Sequence, residues 1–238
     1  MLPHELCEAL AEDIDQLVRL HDRELDAETL AALRQAGFPD NLALVPEEGA
    51  ALVRESLRGV LNHSSDFDAL AADYAAIYLT GACGASPCES VWLSDEHLHC
   101  EAPMFELAGL YAAYGLAVAD RRRRYDDHLV CQLLFLRHLL LRATVDAAAI
   151  AAFLDEHPGL WIGDFAARVA ARSGSPFYAG LALLTAGWLH RVRDLVAEPG
   201  GVPRPSREAV EARLRVRRSA HVAEVAPIRF VPGTGPVV

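Results

Sequence analysis

Apolar residues recur at helical spacing through most of the chain. Residues 3–21 repeat leucine and isoleucine every three or four positions, which is the pattern of an amphipathic helix that buries one face. The longest apolar run covers residues 129–141 and is interrupted only by Gln132, Arg137 and His138. Because a helix that is apolar around most of its circumference must be surrounded by others, we expect this one to be the central helix of a bundle.

Start signals divide the rest of the body into further helices. Asp26, Asp146 and Ser175 each precede a periodic segment, and Pro46 and Pro103 stand at the first turn of two others. Asp and Ser side chains accept hydrogen bonds from the free N–H groups of a first turn, where proline is also tolerated. About nine helices and no convincing pair of strands predict an all-α fold, a single helical bundle.

The end of the chain differs in composition from the body. Proline and glycine cluster between Glu198 and Pro205, and Ser206 then precedes one short charged helix. A segment of this kind cannot bury a core of its own. We therefore predict a helical domain over residues 1–197 and a flexible Pro/Gly-rich extension over residues 198–238.

Composition and charge exclude several classes of function. Hydrophobic residues make up 52% of the chain and the formal net charge is -11 at pH 7. Nucleic acids and acidic membrane surfaces need a basic face, so we expect no nucleic-acid partner and no binding to an acidic membrane surface. The apolar run at 129–141 is too short and too interrupted to span a bilayer, so we also expect no stable membrane insertion. The first residues lack a secretory signal, and the five cysteines are an odd number without disulfide-like spacing. These features predict a cytoplasmic protein with reduced thiols.

Residues 80–101 form the longest irregular stretch of the body and contain an alternative metal site. Its candidate ligands are Cys83, Cys88, His97, His99 and Cys100. Zinc prefers four thiolate or imidazole ligands in a tetrahedron, but this spacing lacks a second tight pair. Free thiols and surface histidines are the default interpretation, and a small metal-binding or redox protein is the alternative.

Charged residues cluster just before the apolar run. Residues 121–124 are four consecutive arginines, which we interpret as a solvated linker between helices. Asp126 or Asp127 can cap the first turn of the next helix, or Asp127 and His128 can face a groove and hold a ligand. No catalytic motif is present, and neighbours on a helix diverge by roughly 100°, so Asp127 and His128 do not make a dyad by adjacency. We expect no enzyme and no cofactor.

Three segments together resemble motifs of the TorD/DmsD/NarJ family of maturation chaperones for molybdenum enzymes. They are DYAAIYLTG at 73–81, PCESVWL at 87–93 and DHL at 127–129. Their order and separation also match, and the resemblance covers about residues 6–197. Arg124 and Tyr125 stand where the family signature has Glu and Pro, so the geometry of that turn is open.

The resemblance implies a TorD-like cytoplasmic chaperone that binds the precursor of a molybdopterin oxidoreductase. The bound part is its twin-arginine signal peptide, the body of the apo-enzyme, or both, until the cofactor is inserted. A signal peptide has a basic head and an apolar, helix-forming core, and such a peptide fits a groove with an acidic rim. The sequence leaves the client enzyme open, and it also leaves open whether the chain is a monomer or a domain-swapped dimer.

The same resemblance suggests which side chains contact the peptide or client. They are Tyr74, Tyr78, Glu89, Ser90, Trp92, Asp127 and His128. Asp127 is expected to accept an arginine through two hydrogen bonds, while Trp92 is either an apolar contact or an anchor that packs its loop into the core. An all-α regulatory domain without a precursor client is the remaining alternative.

Overall fold

A computed structural model describes residues 2–59 and 64–224 of the chain. Within these two ranges the secondary structure is helical, apart from an isolated antiparallel bridge between Cys88 and His128. The predicted all-α fold is therefore confirmed. The helices are α1 His4–Asp22, α2 Ala27–Ala36, α3 Glu47–Arg58, α4 Ser64–Tyr74, the π-helical segment Ala75–Leu79, α5 Ser90–Leu93, α6 Ala102–Ala113, α7 Leu129–Leu140, α8 Ala147–Glu156, α9 Pro158–Arg172, α10 Pro176–Gly200 and α11 Arg207–Glu224.

Helix starts follow the predicted caps. The side chain of Asp26 accepts a hydrogen bond from the Thr29 amide before α2, and Asp146 accepts two from the first turn of α8. Ser175 accepts from the amide of Phe177 at the start of α10. Each of these bonds satisfies an N–H group that the helix itself cannot pair. The local rules used on the sequence therefore identified these three boundaries correctly.

Two compact units divide the chain between Arg204 and Pro205. The first contains α1 to α10, and α11 belongs to the second. The predicted division at residue 198 stays a prediction; α10 itself continues to Gly200. The last part of the predicted extension, residues 225–238, lies outside the described ranges.

Within the first unit, both α7 and α10 pack against several other helices. Helix α10 packs against α3, α8 and α9, and α7 packs against α1 and α8. Phe135 of α7 also contacts Tyr111 of α6, and Gln132 of α7 is hydrogen-bonded to Trp161 of α9. Nine of the twelve residues of α7 are buried, but Leu134 is 45% exposed. The predicted enclosure of this helix by others is thus observed on all but one face, and that face borders a cavity.

Glycine sets the closeness of the α3–α10 crossing. A Cβ added to Gly49 in α3 would lie 2.1 Å from the backbone nitrogen of Leu184, and one added to Gly180 in α10 would lie 2.8 Å from Leu52. Neither clash can be relieved without moving a helix.

In the described part of the chain, none of the helices combines the length and apolarity needed to cross a bilayer.

Candidate functional site

The loop that carries the PCESVWL motif is fastened to the turn before α7. The amide of Leu129 donates to the carbonyl of Pro87 at 2.8 Å, and the amide of Glu89 donates to the carbonyl of Asp127 at 3.1 Å. The carboxylate of Asp127 accepts from the amide of Ser90 at 2.8 Å. Two of the three motifs therefore form one structural unit.

Neither Asp126 nor Asp127 caps α7, so that prediction is wrong. The N-cap is His128, whose Nδ1 accepts a hydrogen bond from the amide of Val130 at 3.1 Å. Asp127 is fully buried and turned toward the loop. Desolvation is the main reason that the pKa of His128 falls to about 3, so the imidazole is neutral, as an accepting Nδ1 requires.

A buried polar network continues beneath this contact. Glu89 is fully buried; one carboxylate oxygen accepts from Nε2 of Gln132 at 2.8 Å, and the other lies 3.0 Å from Nδ1 of His157. Gln132 also donates to the carbonyl of Asp127 at 3.0 Å and, less closely, accepts from Trp161 at 3.4 Å. Burial raises the pKa of Glu89, against the opposing effects of His157 and Gln132. Because unpaired polar groups are costly inside a protein, this network fixes the loop on α7.

Trp92 secures the other end of the same loop. Its indole N–H donates to the carbonyl of Ser86 at 2.8 Å, and its ring meets Phe165 of α9 edge-on, with the ring centres 6.5 Å apart. The guanidinium of Arg168 lies 5.6 Å from the ring centre. These contacts favour the loop-anchor interpretation of Trp92 over a peptide contact.

A cavity of about 350 Å³ opens above the turn, and we call it the motif cavity. It is bordered by Tyr74 and residues 77–81 from the first motif, by residues 86–88 of the loop, and by His128 from the third motif. His21 and Asp22 at the end of α1 close it on one side, and His99 and residues 123–125 line it as well. All three sequence motifs thus contribute to one cavity.

The wall of the motif cavity contains a neutral histidine in a defined tautomer. Nε2 of His21 lies 2.8 Å from the hydroxyl of Thr185, which itself donates to the carbonyl of Leu181. The hydroxyl therefore accepts from Nε2–H, and Nδ1 of His21 accepts from the hydroxyl of Tyr78 at 2.6 Å. Burial lowers the pKa of His21 to about 3. The hydroxyl of Tyr78 is held in one direction as a result.

The arginine run is not a solvated linker throughout, and that interpretation is corrected. Arg121 pairs with the buried carboxylate of Asp126 at 3.0 Å, and Arg124 pairs with Asp22. Arg124 also lines the motif cavity, where Asp22 is the one carboxylate among the described lining residues. The expected acidic rim is therefore reduced to a single, already paired, acid.

A second cavity of about 510 Å³ adjoins the first, and we call it the apolar cavity. It lies between the end of α6, residues 116–120 and one face of α7, which contributes Leu134 and Phe135. Asp22, Arg123 and Arg124 line both cavities. The Asp22–Arg124 ion pair therefore stands in the wall that the two cavities share.

The seven side chains expected at the site fall into three groups. Tyr74, Tyr78 and His128 line the motif cavity, whereas Trp92 is behind it. The buried residues beneath the cavity are Glu89, Ser90 and Asp127. A carboxylate in that position is not accessible to an incoming arginine, so Asp127 acts through the loop that it holds.

Sequence reasoning missed His21 and Asp22. The signal was present, since His21 follows the buried Leu17 by four residues and so falls on the apolar face of α1. The alternative metal ligands are not brought together: Cys83 and Cys88 are buried, while Cys100 is exposed. Among the residues that the structure describes, no three His, Cys, Asp or Glu side chains are placed to hold a metal ion.

Comparison with known proteins gives a family match and several relatives. A family model described as the nitrate reductase delta subunit matches residues 45–167, just over half of the chain, and this range includes all three motifs. The chain is 29% identical to the chaperone protein TorD of Shewanella loihica over 184 residues, which are 71% of this chain and 84% of that protein. It is 29% identical to TorD of Vibrio parahaemolyticus over 52% of this chain and 58% of that protein. It is also 26% identical to the chaperone protein YcdY of Escherichia coli, over 62% of this chain and 76% of that protein.

Proposed function

The chain belongs to the TorD/DmsD/NarJ family of molybdoenzyme maturation chaperones, and we propose that it holds a molybdopterin oxidoreductase precursor in the cytoplasm until the cofactor is inserted. The part of the precursor that it binds is the twin-arginine signal peptide, alone or together with a segment of the apo-enzyme. The role is one of binding and protection rather than catalysis.

The observation that carries this proposal is the convergence of three motifs on one cavity. Residues 73–81, 87–93 and 127–129 are far apart in the sequence, yet each contributes to the lining of the motif cavity. Two of the segments are also joined by hydrogen bonds that the buried network protects. A rigidly supported concave surface is the usual form of a binding site.

The lining of the motif cavity suits a bound polypeptide with apolar side chains. Leu79 is 70% exposed at the cavity and Tyr125 is 37% exposed, although both are large and hydrophobic. Apolar side chains left open to water in this way mark binding sites in soluble proteins. Tyr78 and His128 place hydrogen-bonding groups next to them, which can pair with the backbone of an extended or helical segment.

Co-expression with a precursor tests this role directly. The chain, carrying an affinity tag, is produced together with the molybdopterin oxidoreductase subunit encoded in the same genome, with and without its signal peptide. We expect the precursor to co-purify with the native chain, and Leu79→Lys to reduce the recovered amount by about tenfold because a charge replaces apolar contact.

Phe105→Lys is the matched control for this experiment. Phe105 is 63% exposed on α6 and lies outside both cavities, so its replacement changes hydrophobicity and charge equally without touching the site. Equal loss in both variants, or recovery of precursor that neither variant changes, would contradict the placement of the client in the motif cavity. No recovery with the native chain would contradict the function itself.

A further inference from the structure

Asp22 occupies an electrostatically unusual position. It is the last residue of α1, where the helix dipole disfavours a carboxylate and favours a cation. Its side chain is only 26% exposed, and it borders both the motif cavity and the apolar cavity. A carboxylate placed there needs a positive partner to offset both the dipole and the partial burial.

Arg124 supplies that partner from a distant part of the sequence. Its guanidinium pairs with Asp22, and its own side chain is 24% exposed. Arg23 also approaches this carboxylate, but only to 3.9 Å and with its side chain 80% exposed, so Arg124 is the principal partner. The neighbouring Arg123 also lines both cavities, and the run of arginines connects α6 to the turn before α7. One arginine of a basic sequence is therefore already bound to the carboxylate that both cavities share.

We propose that Asp22 is the receptor for an arginine of the client peptide, and that Arg124 occupies this receptor in the free protein. This inference rests on the proposed function. When the client binds, its guanidinium replaces that of Arg124, which moves into water, and the number of ion pairs is unchanged. The apolar residues that follow the client's arginine then lie in the apolar cavity, against Leu134 and Phe135.

In this exchange, apolar burial supplies the affinity and the ion pair supplies the selectivity. Replacing one guanidinium by another contributes little net free energy, so burial of the client's apolar residues supplies most of the affinity. A peptide without an arginine leaves Arg124 in place and the two cavities separated. The ion pair thus selects for a basic residue beside an apolar segment, at some cost in affinity for every client.

Binding of a synthetic peptide to the full chain tests the exchange. The probe is a fluorescein-labelled peptide with two adjacent arginines followed by about ten leucine and alanine residues, the length of a short apolar helix, measured by fluorescence anisotropy. We expect Arg124→Ala to bind it about threefold to tenfold more tightly, because the receptor is no longer occupied. We expect Asp22→Asn to bind it about tenfold more weakly.

Two matched controls and a second peptide make the result specific. Arg122→Ala removes a neighbouring arginine that lines neither cavity, and Asp15→Asn removes a carboxylate of the same helix that pairs with Arg137. Both should bind within about twofold of the native chain. A peptide with glutamines in place of the two arginines should bind Asp22→Asn no more weakly than it binds the native chain.

The outcomes separate this inference from the proposed function. If the arginine peptide binds but Asp22→Asn has the affinity of Asp15→Asn, the receptor assignment is overturned and the chaperone role stands. Binding that Arg124→Ala weakens, in a variant with native helix content, overturns the assignment as well, and Arg124→Gln serves as the second variant. If neither peptide binds any variant and no precursor co-purifies, the proposed function fails and the inference fails with it.

Discussion

Gln132→Met tests whether the buried network holds the motif loop on α7. Gln132 is 1% exposed and makes three hydrogen bonds, to Glu89, to the carbonyl of Asp127 and from the indole of Trp161. Methionine has nearly the same length and volume but no N–H group. The substitution therefore leaves one carboxylate oxygen of Glu89 and the indole N–H of Trp161 unpaired, whereas the carbonyl of Asp127 keeps its hydrogen bond from the amide of Glu89. It adds little steric strain.

The expected loss of stability follows from those two unpaired groups and from the one hydrogen bond that the carbonyl of Asp127 loses. Each buried group left without a hydrogen bond costs about 1–3 kcal/mol. The Trp161 contact is long at 3.4 Å and belongs at the low end, and methionine regains part of the loss because it is easier to bury than an amide. We expect the free energy of unfolding to fall by about 2–3 kcal/mol.

Urea unfolding followed by circular dichroism measures this loss, and Gln35→Met is the control. Gln35 is exposed on α2, so the same chemical change there should stay within about 0.5 kcal/mol. The amides of Ser90 and Leu129 should also exchange with solvent faster in Gln132→Met, because they donate across the loop contact. A loss equal to that of the control, with unchanged exchange at these amides, would refute the view that the network supports the site.

Two further perturbations test the stability of the fold. His21 has a pKa of about 3 in the folded protein against 6.5 for the ordinary side chain, so below pH 6.5 the unfolded chain binds a proton that the folded chain does not. As the pH falls from 6.5 to 5, His21 should lower the free energy of unfolding by about 1.4 kcal/mol per pH unit. His128, whose pKa also falls to about 3, contributes in the same direction, so urea titrations should give a slope smaller by about 1.4 kcal/mol per pH unit in His21→Gln than in the native chain; equal slopes would contradict this. Gly49→Ala should lower the free energy of unfolding by about 1–3 kcal/mol because its Cβ meets the α10 backbone. Gly163→Ala, in the middle of α9 where no atom lies within 4 Å of the added Cβ, should raise it by about 0.5–1 kcal/mol. Thermal unfolding compares the two variants, and a shift of the melting temperature in the same direction for both would contradict the packing argument.

The sequence predicted the helices well because their signals are local. Asp26, Asp146 and Ser175 cap the helices that follow them, and apolar spacing gave the buried face of α1. The π-helical segment Ala75–Leu79 and the short helix α5 were not predicted. Both depend on how the chain packs against distant elements, and no spacing rule encodes that.

The site was harder to predict than the fold because burial is not visible in a motif. The motif that contains Asp127 gave a charged residue beside an apolar run, and exposure to a ligand was the natural interpretation. Its partner Ser90 lies 37 positions away, and Glu89 meets His157 across 68. Only the folded chain shows that these polar groups satisfy one another. Of the seven expected residues, Tyr74, Tyr78 and His128 are the ones that line the cavity.

Photo-crosslinking from the motif cavity tests most directly whether a client segment binds there. A photoreactive amino acid replaces Leu79 at the cavity in one variant and Phe105 on α6 in another, both of which are exposed positions. After co-expression with the precursor and irradiation, we predict a crosslink from position 79 to the signal peptide or the apo-enzyme, and none from position 105. A crosslink from position 105 alone, or equal crosslinking from both, would contradict the claim that the three motifs build the binding site.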